Sequence, residues 1–203
     1  MLDKYAEKMG FELTEENGFD KVKRVPCRDL YFMNLCFSIN LRSIDKSTKC
    51  GCLISHDDGA LLSSGYNSPI RGADDNNIPD KRPDKYDYME HSERNAIYNA
   101  ARHGIEIYNS IFYITGFPCI RCLRAMIQSG AKTIIYGPLQ AAQLGNDIFG
   151  RYSDILKKQV VVIKRFKYDE GLYFLNPIAK YMIDLKKEAG IPDITYQWNC
   201  LRQ

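Results

Sequence analysis

Four residues in two short strings carry the chemistry of this chain: His91 and Glu93 in His91-Ser92-Glu93, and Cys119 and Cys122 in Pro118-Cys119-Ile120-Arg121-Cys122. One imidazole and two thiolates can hold three corners of a zinc tetrahedron and leave the fourth for water. A structural zinc takes four protein ligands, so three ligands with a spare carboxylate read as catalysis. Zinc lowers the pKa of bound water toward ~7, and an acid beside it can accept that proton and hand it on. Hydrolytic removal of an amine needs such a shuttle, because amide anion is a very poor leaving group. Cys-x-x-Cys alone also serves structural zinc knuckles and redox pairs. A redox pair leaves His91-x-Glu93 unexplained. A closed site would need His56, His103 or a distant cysteine, none at useful spacing.

Each string falls where the sequence predicts a helix to begin. The first backbone N–H groups there are unpaired and the dipole is positive, which favours thiolate at Cys119. Pro118 is tolerated at such a start, and two intervening residues let one helical turn bring both sulfurs to one metal. Glu93, two positions after His91, points away from the imidazole and toward a bound water.

The elements that must position these strings follow from apolar spacing. Arg28 to Ile44 is dense in apolar residues and reads as a buried helix. Cys50–Ser55 and Ala60–Tyr66 flank His56-Asp57-Asp58-Gly59, a hairpin signal. Residues 71–88 are a loop by composition, with Asp74 and Asp75 in solvent. Helical spacing returns at Ala96, Ile97, Ala100 and Ala101 and stops at Gly104. Ile111–Thr115 and Lys132–Tyr136 are buried strands joined by a helix over Cys119–Ser129, so they form a parallel, right-handed pair. A strand over Val160–Phe166 and a helix over Pro177–Ala189 complete an α/β order with helices on both faces of a mixed sheet. Residues 1–24 show weak helical hints and read as an arm.

Composition narrows the class. The 203 residues suffice for one core, and a formal net charge of +3 is too small for a nucleic-acid footprint. Seven cysteines, two of them in a zinc-like motif, do not make a disulfide framework. Met1 to Gly18 has no apolar leader and no stretch suits a membrane span. The expectation is a cytoplasmic protein without membrane contact. His56 and His103 read as exposed or capping residues, and Trp198 and most tyrosines as core or interface.

Paired in this order, His-x-Glu and Pro-Cys-x-x-Cys resemble the zinc-dependent cytidine deaminase superfamily, over about residues 28–137. Gly65-Tyr66-Asn67-Ser68-Pro69-Ile70-Arg71-Gly72, His91-Ser92-Glu93-Arg94-Asn95-Ala96-Ile97 and Tyr113-Ile114-Thr115 are similar to the deoxycytidylate (dCMP) deaminase branch. Ile120 stands where that branch usually has Pro, and Cys50-Gly51-Cys52 replaces an apolar strand start. The resemblance implies a three-layer α-β-α sandwich on a mixed, mostly parallel five-stranded sheet. It implies a single deaminase domain over 1–203: an arm at 1–26, a catalytic core at 27–150 and a C-terminal strand and helix at 151–203. His91, Cys119 and Cys122 would be the zinc ligands and Glu93 the general acid/base. Asn67 would bond the sugar or base and Arg71 would lie in a phosphate or effector loop, with Tyr66, Thr115 and Tyr136 as further substrate contacts. The implied reaction is dCMP + H2O to dUMP + NH3, feeding thymidylate synthesis. Implied partners are dCTP and dTTP effectors with Mg2+, and copies of the chain in a homo-oligomer, a hexamer. The loop over 72–90 lacks the cysteine that a second zinc would need. Alternatives are a deaminase of dCTP or a modified cytidine nucleotide, a deaminase of RNA or single-stranded DNA, and a non-catalytic zinc module. Acidic Asp74, Asp75, Asp84 and Asp87 near His91 weigh against the nucleic-acid alternative.

Overall fold

In the computed structural model, residues 11–16, 19–26, 28–79, 81, 83–139 and 161–166 are described. The first element is an antiparallel hairpin, β1 (Phe11–Glu16) with β2 (Phe19–Pro26). Here the weak helical expectation fails. Asn17-Gly18 between the runs is the strongest two-residue hairpin signal, and charged residues on both sides disguised it. Helix α1 (Arg28–Ile39) follows and tightens into a 3-10 turn at Asn40–Arg42.

The central sheet has the order β4-β3-β7-β8-β9. Its strands are β3 (Gly51–Ser55), β4 (Leu61–Tyr66), β7 (Ser110–Gly116), β8 (Ala131–Leu139) and β9 (Val162–Arg165). β3 runs antiparallel to β4 and β7, whereas β7–β8 and β8–β9 are parallel. Four strands therefore point one way and β3 alone the other, as expected of a mixed, mostly parallel sheet. Between β4 and β7 come the short strands β5 (Ser68–Pro69) and β6 (Met89–Glu90), which pair and tie off the intervening loop. Helices α2 (Ser92–Arg102) and α3 (Ile120–Gln128) each precede a sheet strand. Gly104 and Gly130 end them in the left-handed region, at φ 64° and 90°.

Period-two alternation along the strands divides the core into two layers. Cys52, Ile54, Phe112, Ile114 and Ile134 pack with Ala96, Leu123 and Met126 of α2 and α3. Leu53, Tyr113 and Ile135 face the opposite way, against Phe32, Met33, Cys36 and Phe37 of α1. That is the expected α-β-α sandwich. The Cys36 thiol donates to the Tyr113 carbonyl at 3.3 Å, and the Tyr113 hydroxyl donates to Asp29 at 2.8 Å, fixing α1 on its face.

α2 is seated on β4 by polar stitching. Ser63 Oγ donates to the Ala96 carbonyl (2.7 Å), Asn99 Nδ2 to the Ser64 carbonyl (2.8 Å) and Asn95 Nδ2 to the Tyr66 carbonyl (2.9 Å). The backbones meet at Gly65, where an added Cβ would lie 2.4 Å from Ala96 N and 2.5 Å from Ser92 O. No side chain fits there without displacing the helix start that carries His91. The helix expected over 177–189, Trp198, and residues 1–10 of the arm lie outside the described residues.

Candidate active site

His91 is the N-cap of α2 and Cys119 the N-cap of α3. Caps are usually Ser, Thr, Asp or Asn spending their oxygens on the first amides. Here neither side chain caps its helix, which leaves both free to serve as ligands. Cys122 stands three residues after its cap, where one helical turn brings the two side chains together. The parallel β7–β8 pairing and the seat of α2 on β4 bring the two helix starts to the same end of the sheet.

The donor atoms of His91, Cys119 and Cys122 lie within 4.8 Å of one another. His91 Nδ1 is 3.6 Å from Cys119 Sγ and 3.5 Å from Cys122 Sγ. Tetrahedral zinc bonds of about 2.3 Å to sulfur and about 2.05 Å to nitrogen require an N···S edge of roughly 3.6 Å. Borderline-soft donors at that spacing fit zinc, and among the described residues the cluster has three members.

Electrostatics distinguish the members. A hydrogen bond from Cys122, helped by His91 and opposed by burial, brings Cys119 down to about 3. Its hydrogen bond to Cys119, together with burial, pushes the Cys122 thiol up. The hydrogen bond to Cys119 lifts His91 despite its burial. Glu93, 5% exposed, is raised by burial, with Ser92 Oγ donating to its Oε2 at 3.0 Å. Glu90 steadies the ligand: its Oε1 accepts the His91 backbone N–H at 3.0 Å and pairs with Arg94.

His91, Glu93 and Cys119 open onto one pocket, lined also by Ile114, Gly116 and Phe117 and by Asp45, Thr48, Cys50 and Asn67. Tyr86 and Met89 complete the rim. Asn67 is the one expected substrate contact that reaches this wall. Its amide is already engaged: Oδ1 accepts from Cys50 N (2.7 Å), and Nδ2 donates to the Thr48 carbonyl (2.8 Å) and Asp45 Oδ2 (3.4 Å).

The other expected contacts stand elsewhere. Tyr66 and Arg71 line a second hollow with Arg42, Tyr98 and Arg102, and Arg71 donates to Asn99 Oδ1 at 3.0 Å. Thr115 is fully buried and accepts from Gly51 N at 3.1 Å. Tyr136 stacks edge-on against Phe117, ring centroids 4.9 Å apart, and Phe117 stands between it and the pocket. Strand alternation is the reason for two of these: Tyr66 is next to Asn67, and Thr115 lies between the pocket residues Ile114 and Gly116. Asp74 binds its own loop, accepting from Asn76 N at 3.0 Å and Asn77 Nδ2 at 2.6 Å.

Two pocket residues were not legible in sequence. Lys85 and Asp45, 4% exposed and largely buried respectively, form an ion pair across the pocket wall. Nothing in spacing links residues so far apart, and composition places both in solvent-facing loops.

Comparison with known proteins follows the same residues. Residues 26–138 match the family model described as the cytidine and deoxycytidylate deaminase zinc-binding region. The chain belongs to the cytidine and deoxycytidylate deaminase family. It is 31% identical over 112 residues to deoxycytidylate deaminase of Pongo abelii and 32% identical over 112 residues to that of Mus musculus. Each alignment spans 52% of this chain and 62% of the relative, so the chain covers about three fifths of these relatives' length. A solved dCMP deaminase of cyanophage S-TIM5 in apo form shares the fold, with a TM-score of 0.54 and 20% identity over 70% of this chain and 99% of that one. The same phage enzyme solved in complex with dCMP and dUMP has a TM-score of 0.52 at 21% identity, over 67% and 94%. The chain thus carries a zinc-binding deaminase domain. Among the described residues no helix is long and apolar enough to cross a membrane.

Proposed function

We propose that this chain hydrolyses deoxycytidylate, dCMP + H2O to dUMP + NH3. The observation that carries the reading is a cluster of three metal donors at zinc spacing, two of which share a pocket with one buried acid. His91, through Nδ1, with Cys119 and Cys122 would hold the ion. When bound, zinc supplies the Lewis acidity that makes water a nucleophile at neutral pH. The rest is done by side chains. Glu93 takes one proton from the attacking water and delivers it to N3 of the cytosine ring, then takes the second proton from the new C4 hydroxyl and gives it to the amine as its bond to C4 breaks. Burial raises Glu93 above the usual carboxylate range, which suits a group that must both accept and release a proton near neutral pH. Ser92 fixes one carboxylate oxygen, Ile114 and Phe117 supply an apolar wall for the base, and Asn67 faces the sugar. The curated relatives named deoxycytidylate deaminase support the nucleotide substrate.

Regulation by dCTP and dTTP with Mg2+ is assigned to the second hollow, where Arg42, Arg71 and Arg102 can meet a phosphate chain. Assembly as a homo-oligomer, a hexamer, in the cytoplasm completes the reading. The test is a purified, zinc-quantified protein given dCMP, dCTP, cytidine and a single-stranded oligonucleotide, with loss of cytosine absorbance as the readout. Turnover of dCMP above the others supports the assignment. Zinc present but no turnover of any of them, with dCTP added as effector, overturns it.

A further inference from the structure

Part of the pocket wall is held by an ion pair that the deamination chemistry does not use. The Lys85 ammonium bonds both oxygens of Asp45, at 3.0 and 2.9 Å, and also the Ser47 hydroxyl, so all its protons are engaged. Asp45 in turn gathers its own loop, accepting from Ser47 N and Oγ at 2.8 Å each and from Thr48 N at 3.1 Å. Asp45 N caps the arrangement by donating to Ser43 Oγ at 3.2 Å. The side chains are 5% and 8% exposed, a depth at which a lone charge would be costly.

The two partners belong to different segments. Asp45 lies in the loop entering β3. Lys85 lies in the 3-10 turn Asp84–Asp87, within the long loop between β5 and β6. That loop is otherwise tied off at its base, by the β5–β6 ladder and by Ile70 N donating to the Tyr88 carbonyl at 2.9 Å. The ion pair therefore pins the end of the loop that leads into β6, and with it the pocket residue Tyr86, to the Asp45 segment beside Thr48 and Asn67. It also reaches Asn67 directly through Asp45 Oδ2. Because both Asn67 N–H groups are spent on Thr48 and Asp45, the capacity left to its amide is the second lone pair of Oδ1, which can accept but not donate.

We infer that Asp45 and Lys85 are positioning residues for substrate binding: a latch that fixes the non-metal wall of the pocket and sets Asn67 as an acceptor. The inference rests on the reading of the pocket as a nucleotide deaminase site. Neither residue moves a proton in the reaction, so the latch acts on binding in ground and transition state alike and shows in KM rather than kcat.

The test compares wild type, Lys85→Met, Asp45→Asn and the double variant, all with zinc quantified. The readouts are kcat and KM for dCMP, calorimetric affinity for dUMP, and hydrogen exchange over 43–48. Each single variant is expected to raise KM and weaken dUMP binding by roughly ten- to a hundredfold with kcat unchanged, since a small misplacement of a binding wall is costly. The Ser47 and Thr48 amides exchange faster in each. The double variant lies nearer wild type than Lys85→Met, because no buried charge is left unpaired. It also stands in for a single variant that fails to fold. Unchanged KM and dUMP affinity with faster exchange would make the pair a structural brace and overturn the inference, as would a fall in kcat alone. If wild type fails to turn over dCMP, the proposed reaction falls by itself. In that event the dUMP affinity and exchange comparisons still decide the latch.

Discussion

The metal-donor pocket and the hollow beside it share Glu90 as a wall residue, yet their polar groups are held very differently. In the pocket, Glu93, Asn67 and Lys85 are almost fully buried; Asn67 and Lys85 are held by partners in other segments and Glu93 by its neighbour Ser92. In the hollow, Ile70 and Tyr98 are exposed at 55% and 47%, and the exposed Arg71 donates to Asn99. Preorganised dipoles in a dry site are what bond-making chemistry requires, because no reorganisation is then needed at the moment of reaction. Exposed, rotamer-rich arginines suit a ligand that is bound and released. The difference separates a preorganised site from an adaptable one.

The largest effect should come from the donors themselves. Cys122→Ser is expected to lose zinc and reduce deamination by several orders of magnitude, while Arg71→Ala keeps both. Metal analysis and turnover on the same samples check it. Equal loss in both variants would erase the distinction between the two sites.

Gly65→Val comes next, since its side chain must push α2 off β4 beside Ser92. Overpacking of this kind costs about 1–3 kcal/mol. The urea midpoint should fall, and activity should fall further than stability alone explains. Full activity at a lowered midpoint would show that His91 does not depend on that seat.

A smaller effect follows from Asp45. Burial opposes its ionisation, but hydrogen bonds from Lys85, Ser47 and Thr48 outweigh it and hold the carboxyl below its ordinary value. A depressed carboxylate stabilises the fold above its unfolded-state pKa, and that contribution is lost as pH falls through the folded value. Asp45→Asn should therefore cost stability near neutral pH and progressively less as pH falls below the ordinary carboxylate range, as read from urea unfolding along a pH series. A pH-independent cost would mean the ion pair contributes nothing through charge.

The smallest change is Arg71→Ala. Stability should stay within about 0.5 kcal/mol, as for exposed positions generally, and basal turnover should be unchanged. Only the response to dCTP should weaken.

What could be read from sequence follows the range of the interactions. His91, Glu93, Cys119 and Cys122 were legible because helix starts impose short, local spacings, and Asp58-Gly59 announced the β3–β4 hairpin. Tyr66 and Thr115 were assigned to the pocket from motif membership alone. In a strand, though, each residue's neighbours face the other way, so only alternate members of a motif can enter one pocket. Lys85 and Asp45 meet only because β3 and the loop before β6 fold to the same end of the sheet, and no local rule carries that information. Gly65 shows a third case. The resemblance flagged it, but its physical reason, the contact of β4 with α2, appears only in three dimensions.

The central claim is that the three-donor cluster and the buried acid beside it deaminate dCMP. It is tested most directly by mixing zinc-loaded wild type and zinc-loaded Glu93→Gln with dCMP and quantifying dUMP and ammonia. Wild type should release the two products in equal amounts. Glu93→Gln should retain its zinc and lose activity by about 10²–10⁴-fold or more, the range for a general acid/base. Equal turnover in the two proteins, or dUMP formed without ammonia, would contradict the account.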